Sequence, residues 1–153
     1  MAIVRVGLVE DRVSLDDLAE EFASAAAGRG AGSLVIFMGF VKGVVDGKKV
    51  YRLSYEAVEE LALRKLREIA EEAASRPGVE AIAVYHRLGS LEPGEPTIYV
   101  AVVAEPRQLA FSLAAEVLDR VKKEVPVYKL EVREDGEYWI LGHERIRREA
   151  GQA

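Results

Sequence analysis

Residues 118–131 read LDRVKKEVPVYKLE, and the change of period inside this stretch decides the fold. Upstream of it, Ala110, Phe111, Ala114, Val117, Leu118 and Val121 recur at helical spacing, which predicts an amphipathic helix over Arg107–Lys123. Pro126 cannot continue that helix, and it biases Val125 toward an extended backbone. Beyond it, Tyr128, Leu130 and Val132 alternate with Val127, Lys129 and Glu131, a strand pattern over Val127–Arg133. Two lysines flank the stop. Lys122 follows Leu118 by four residues and so borders the buried stripe of the helix. Lys129 falls inside a strand that should be at least half covered. A lysine at the margin of a core either snorkels its ammonium to water or is held there for chemistry. The same stretch also fits a solvated charge run, with Asp119 pairing Lys123 and Glu116 pairing Arg120 at i,i+4. On these residues alone both readings stand.

Outward from this stretch, the pattern alternates between periods. Ile3–Val9 reads as a short strand. Ser14 is a good N-cap for a helix to about Ala27, with Leu15, Leu18, Ala19 and Phe22 as its apolar face. Gly28, Arg29, Gly30 and Gly32 end it; they lack the spacing of a phosphate loop and fit a helix end and link. Ser33–Val41 is a buried strand, Asp46-Gly47 a turn, and Val50–Tyr55 the returning strand, with Lys42, Lys48 and Lys49 in between. A helix follows over Val58–Ser75, stopped by Pro77-Gly78. Ala81–Leu88 and Thr97–Ala104 are further strands, joined by a turn-rich link through Pro93-Gly94. After the strand at Val127–Arg133, the Asp135-Gly136 turn leads to a strand over Tyr138–Leu141. The charged tail from Glu144 should fray or dock on a partner. This order predicts an α+β fold, a largely antiparallel sheet with three main helices, in one domain over residues 1–153.

Composition narrows the function. The chain has 153 residues, 50% hydrophobic and 31% charged, as in an ordinary soluble domain with a real core. It has no cysteine, so it can form neither a disulfide framework nor a thiolate nucleophile or metal site. Its two histidines, His86 and His143, are too few for a multi-histidine metal site, and no metal is expected. A net charge of −5 argues against a general nucleic-acid binder, though not against a local basic pocket. No membrane span or signal peptide is legible, so the expected compartment is the cytoplasm.

Six motifs in order carry a family resemblance over about Gly32–Trp139. They are Phe37-Met38-Gly39-Phe40-Val41-Lys42, then Leu53-Ser54-Tyr55-Glu56, then Tyr85 to Leu91 with Pro93-Gly94-Glu95. Arg107 to Phe111, Asp119-x-x-Lys122, and Pro126 with Tyr128-Lys129-x-Glu131 complete the set. Together they resemble the large, catalytic subunit of molybdopterin synthase, the MoaE family. The resemblance implies an α/β-hammerhead-like fold and a homodimer, joined by two small ubiquitin-like subunits in a heterotetramer. It implies a sulfurtransferase of molybdenum cofactor biosynthesis, with no permanently bound cofactor and with neither nucleic acid nor membrane as partner. The sulfur would arrive as a thiocarboxylate on the C-terminal Gly-Gly of the MoaD-like small subunit. The acceptor would be cyclic pyranopterin monophosphate, and the product the dithiolene of molybdopterin. By this likeness Lys122 and Lys129 match catalytic lysines, Arg107 and Lys42 match residues holding the substrate's phosphate or the tail, and Phe37 matches a pocket-lining aromatic.

The chain departs from the family pattern in three places. Lys42 stands where arginine is usual, keeping the charge but losing the bidentate fork. Pro106 stands where histidine is frequent, and Tyr128 replaces a tryptophan. Arg87 is a candidate substrate ligand or the partner of a nearby carboxylate; His86 should close a strand end, and His143 should be exposed. Trp139 and Tyr138 should pack a hairpin. A second function class is a non-catalytic module that docks a ubiquitin-like tail or a pterin. Such a scaffold needs charge, but not lysines at those two positions.

Overall fold

Two neighbouring strands, Val79–Arg87 and Pro96–Ala104, are buried along almost their whole length. Strands with no solvent face must be covered on both sides. Their alternate side chains divide between two cores. Ile82, Val84, Val100, Val102 and Ala104 face one core, and Ala81, Ala83, Ala101 and Val103 face the other.

The computed structural model describes residues 2–141 and 144–148. In chain order the elements are β1 (Ile3–Val9), α1 (Leu15–Ala26), β2 (Leu34–Phe40), β3 (Val44–Val45), β4 (Lys48–Ala57), α2 (Glu59–Ala74), β5 (Val79–Arg87), β6 (Gly89–Leu91), β7 (Pro96–Ala104), α3 (Arg107–Glu124), β8 (Val127–Arg133), β9 (Gly136–Leu141) and β10 (Glu144–Arg147). The first sheet has the order β1-β5-β7-β2. Only β1 and β5 run parallel; the other pairs are antiparallel. Helices α2 and α3 cover one face, burying Leu66, Ile69, Leu113 and Val117. Helix α1 covers the other through Leu18 and Phe22. Its start is as expected: Ser14 Oγ accepts a hydrogen bond from the Asp17 amide at 3.2 Å.

The second sheet has the order β10-β9-β8-β4-β3, with β6 also pairing β4. All its pairs are antiparallel. Its core is Val41, Val45, Val50, Leu53, Tyr55 and Leu91. Val127, at the start of β8, packs against both this core and the α2/α3 core. The α+β class and the three helices match the expectation. The strands, however, form two sheets rather than one. Hairpin signals fix which strands are neighbours locally but say nothing of the break between β2 and β4.

Three short strands were not anticipated. β3 and β6 are too brief for a period to register. β10 corrects the fraying expected from Glu144 onward, since residues 144–147 pair with 138–141 of β9. Its charged sequence, ERIR, suits an exposed edge, where charge discourages further pairing. The expected ion pairs on α3 also differ. Arg120 bonds Glu124 and Glu72, and Glu116 bonds Arg76, so two of these contacts tie α2 or its exit to α3. Among the described residues no helix is long and apolar enough to cross a membrane.

Leu66 lies fully buried between α2 and the first sheet. Leu66→Ala removes its contacts and leaves a cavity, and should cost about 2–5 kcal/mol in chemical denaturation. A loss below about 1 kcal/mol would show that this core can collapse around the gap.

Candidate functional site

Helix α3 ends at Glu124 because Pro126 offers no amide and the backbone at Val125 is extended. The turn is held by Val125 donating to the Val121 carbonyl at 3.1 Å and Val127 donating to the Val125 carbonyl at 2.9 Å. Val121 and Val125 are buried, so the turn cannot drift. Lys122 and Lys123 close the helix, and Lys129 follows on β8.

These residues line a cavity of about 640 Å³. The first sheet contributes Phe37 and Gly39 from β2, His86 from β5, and Thr97 and Ile98 from β7. The second contributes Leu53, Tyr55, Lys129, Glu131, Ile140 and Arg145. Register explains the second set. Tyr55 pairs with Lys129, Lys129 with Ile140, and Ile140 with Arg145, so one row across four strands points to one side. Glu131 lies two residues from Lys129 and so shares that side.

Among the described residues five cationic side chains line the cavity, Lys42, Lys122, Lys123, Lys129 and Arg145, against two acids, Asp119 and Glu131. Burial holds the Lys129 ammonium below its usual range, and the nearby charge of Lys122 lowers it further. Its Nζ also sits 5.7 Å from the centre of the Tyr55 ring. Burial pushes the Tyr55 phenol up to about 12, so it stays protonated at neutral pH. The His86 ring meets Tyr55 edge-on, with centroids 5.1 Å apart. Its Nδ1 lies 2.7 Å from the Arg87 carbonyl oxygen. A carbonyl can only accept, so Nδ1 carries the proton. Burial, with Lys129 adding to it, lowers the imidazole to about 4, so it is neutral and Nε2 is an acceptor. His86 thus closes a strand end, as expected, and lines the cavity as well. Glu131, 2% exposed, takes Arg145 Nε at 3.2 Å and lies 3.7 Å from Arg133 Nη1.

Lys122, Lys129, Lys42 and Phe37 therefore come together. Arg107 and Arg87 do not line the cavity. Arg107 opens α3 and Lys122 nearly closes it. A rise of about 1.5 Å per residue sets them roughly 22 Å apart along the axis. Arg87 is 6% exposed and committed. It bonds Glu95 at 3.3 Å, the Glu10 carbonyl at 2.9 Å and the Pro96 carbonyl at 3.1 Å. The carboxylate-partner reading of Arg87 is the one realised. His143 lies outside the described residues. Tyr138 packs in its hairpin under Arg133, whose guanidinium carbon sits 4.0 Å from the ring centre. The sequence reading missed Tyr55, Thr97, Glu131 and Arg145. Glu131 had a visible signal, its spacing of two from Lys129; Arg145 needed the strand register.

Cations gathered around neutral aromatic and imidazole groups suit an anionic ligand next to one amine of lowered basicity, that of Lys129. The model of the family described as MoaE protein matches residues 8–124, and the chain belongs to that family. A protein of Pyrococcus abyssi named molybdopterin synthase catalytic subunit is 43% identical over 128 residues, 83% of this chain and 86% of that one. A Bacillus subtilis protein of the same name is 37% identical over 112 residues, 73% of this chain and 71% of that one. A solved molybdopterin synthase from Staphylococcus aureus superposes with a TM-score of 0.75 at 27% identity, over 90% of this chain and 96% of that one.

Two measurements check the electrostatics. Removing the Lys122 charge favours the charged form of its neighbour, so Lys122→Ala should raise the Lys129 titration seen by side-chain NMR. An unmoved titration would mean the ammonium groups do not sense each other. For His86 the folded value, about 4, lies below the unfolded 6.5. The unfolded chain then binds the extra proton between these values, and stability falls as pH drops from about 6.5 to about 4. The loss should be on the order of 3 kcal/mol at most. His86→Asn keeps an N–H for the Arg87 carbonyl without titrating, and should flatten that part of the pH–stability curve.

Proposed function

We propose that this chain is the catalytic subunit of a molybdopterin synthase. It transfers sulfur from the thiocarboxylated C-terminus of a small ubiquitin-like subunit to cyclic pyranopterin monophosphate, and the product is the molybdopterin dithiolene. The observation that carries this reading is the convergence of Lys122 and Lys129, seven residues apart and on different elements, on one cationic cavity. Family membership and the shared name of the relatives support the same activity.

The residues suit the task. Both reactants are anionic, one through a phosphate and the other through a terminal thiocarboxylate. The cations neutralise and orient them, holding the sulfur near its acceptor carbon. Each tail gives up one sulfur to a pterin carbon, takes an oxygen from water at its acyl carbon in exchange, and leaves as a carboxylate. Lys129 is the better proton acceptor or nucleophile because burial and Lys122 disfavour its charge. Lys122, exposed at the helix end, receives the tail. The chain has no cysteine, which fits sulfur supplied in trans. No resident metal or cofactor is needed for these roles. The chain works as a single domain in a homodimer that binds two small subunits, in the cytoplasm. Arg107 can serve such a cavity only from the other copy.

Single-turnover assays with a thiocarboxylated small subunit test the reading. Lys129→Ala and Lys122→Ala should each lose about 10²–10⁴-fold in dithiolene formation. Both side chains sit at the margin of the core, so melting behaviour should hardly change. Near-wild-type turnover in both variants would sink the catalytic assignment of the two lysines.

A further inference from the structure

Arg145 is the one guanidinium among the residues that line the cavity. It enters from β10, the last described strand, and its position follows from register rather than chance. It pairs with Ile140, which pairs with Lys129, so its side chain rises on the Lys129 side of the sheet. Its Nε donates to Glu131 Oε1 at 3.2 Å. Glu131 is itself 2% exposed, so the anchor is buried and fixed. Both terminal nitrogens of Arg145 lack a protein partner among the described residues. A guanidinium held by Nε presents those two nitrogens as a fork, the geometry that grips two oxygens of one anion. The side chain is 31% exposed, so the fork remains reachable.

A second observation points the same way. Lys42 reaches this cavity as a point charge where a fork would suit a phosphate better. Resting on the reading above, we propose that Arg145, aligned by Glu131, is the bidentate phosphate ligand of the pterin substrate in this chain. The phosphate is the better match than the tail carboxylate. In the reading above the tail is received by Lys122 at the exposed end of α3, whereas Arg145 lines the cavity from the second sheet.

The test uses the full chain in two binding measurements and one rate. Inorganic phosphate is titrated into wild type, Arg145→Lys and Arg145→Ala by calorimetry, and so is cyclic pyranopterin monophosphate. Arg145→Ala should weaken both about 10- to 100-fold, the scale of a lost charge-assisted pair. Arg145→Lys should recover only part of this, because charge returns without the fork. Glu131→Gln should weaken binding less, and should add little on top of Arg145→Ala, since the two act as a unit. Docking of a small subunit ending in a plain carboxylate should be unchanged, and the loss in turnover should fall on KM rather than kcat.

Equal phosphate affinity in wild type and Arg145→Ala would overturn the assignment. So would a wild type that binds neither probe. Weakened docking of the small subunit with unchanged phosphate affinity would assign the fork to the tail instead and also overturn it. Arg145-dependent phosphate binding in a chain that forms no dithiolene would keep the anion site and remove the synthase reading.

Discussion

Between Val121 and Val127 the chain passes from one core into another, and Pro126 in its middle can neither donate a hydrogen bond nor extend the helix. Val121 and Val125 are fixed in the α2/α3 core, while Val127 touches both cores. The segment is thus clamped at each end with no freedom to slide. Everything that follows inherits this placement. β8 starts where the clamp releases it, β4 and β9 pair with β8, and β10 pairs with β9. A shift of one residue here would turn Lys129, Glu131 and their cross-strand partners to the opposite side.

A chain with a net charge of −5 nevertheless concentrates five cations around one cavity. Apart from Asp119 and Glu131, which line the cavity, the acids are spent elsewhere. Glu72, Glu116 and Glu124 hold arginines between and along the helices, and Glu95 holds Arg87. Lys122 and Lys129 have no ion-pair partner among the described residues. Like charges kept close and partly buried raise the energy of the empty site, and an anion relieves that cost on arrival. The neutral groups below them, Tyr55 and His86, keep the floor polar without cancelling the field.

Most elements were legible in the residues because their periods were long and clean. β8 has the bounds that alternation gave it, and α2 and α3 differ by about one residue at either end. Lys122 and Lys129 stood out for the same reason, since a period break lies between them. Arg107 stands apart from the lysines within one copy because motifs give order along the chain and not distance; an 18-residue helix keeps its ends apart. Arg87 carries a charge, yet its donors are consumed by Glu95 and two carbonyls, a fact no spacing reveals. Arg145 lay in a segment that looked like a polar tail. Only pairing with β9 turns it toward the cavity, and such pairing is long-range information.

The two faces of the first sheet are built from differently sized residues. Toward α2 and α3 it presents Ile82, Val84, Val100 and Val102, but toward α1 it presents Ala81, Ala83, Ala101 and Val103. No residue of the α1 core is among those lining the cavity. That alanine layer separates α1 from the wall shared with the second sheet, so a substitution under α1 reaches the cavity through the backbones of β5 and β7 rather than by direct contact. The α1 side is therefore where the molecule can be rebuilt for heat tolerance or attachment to a support with the least disturbance to its chemistry.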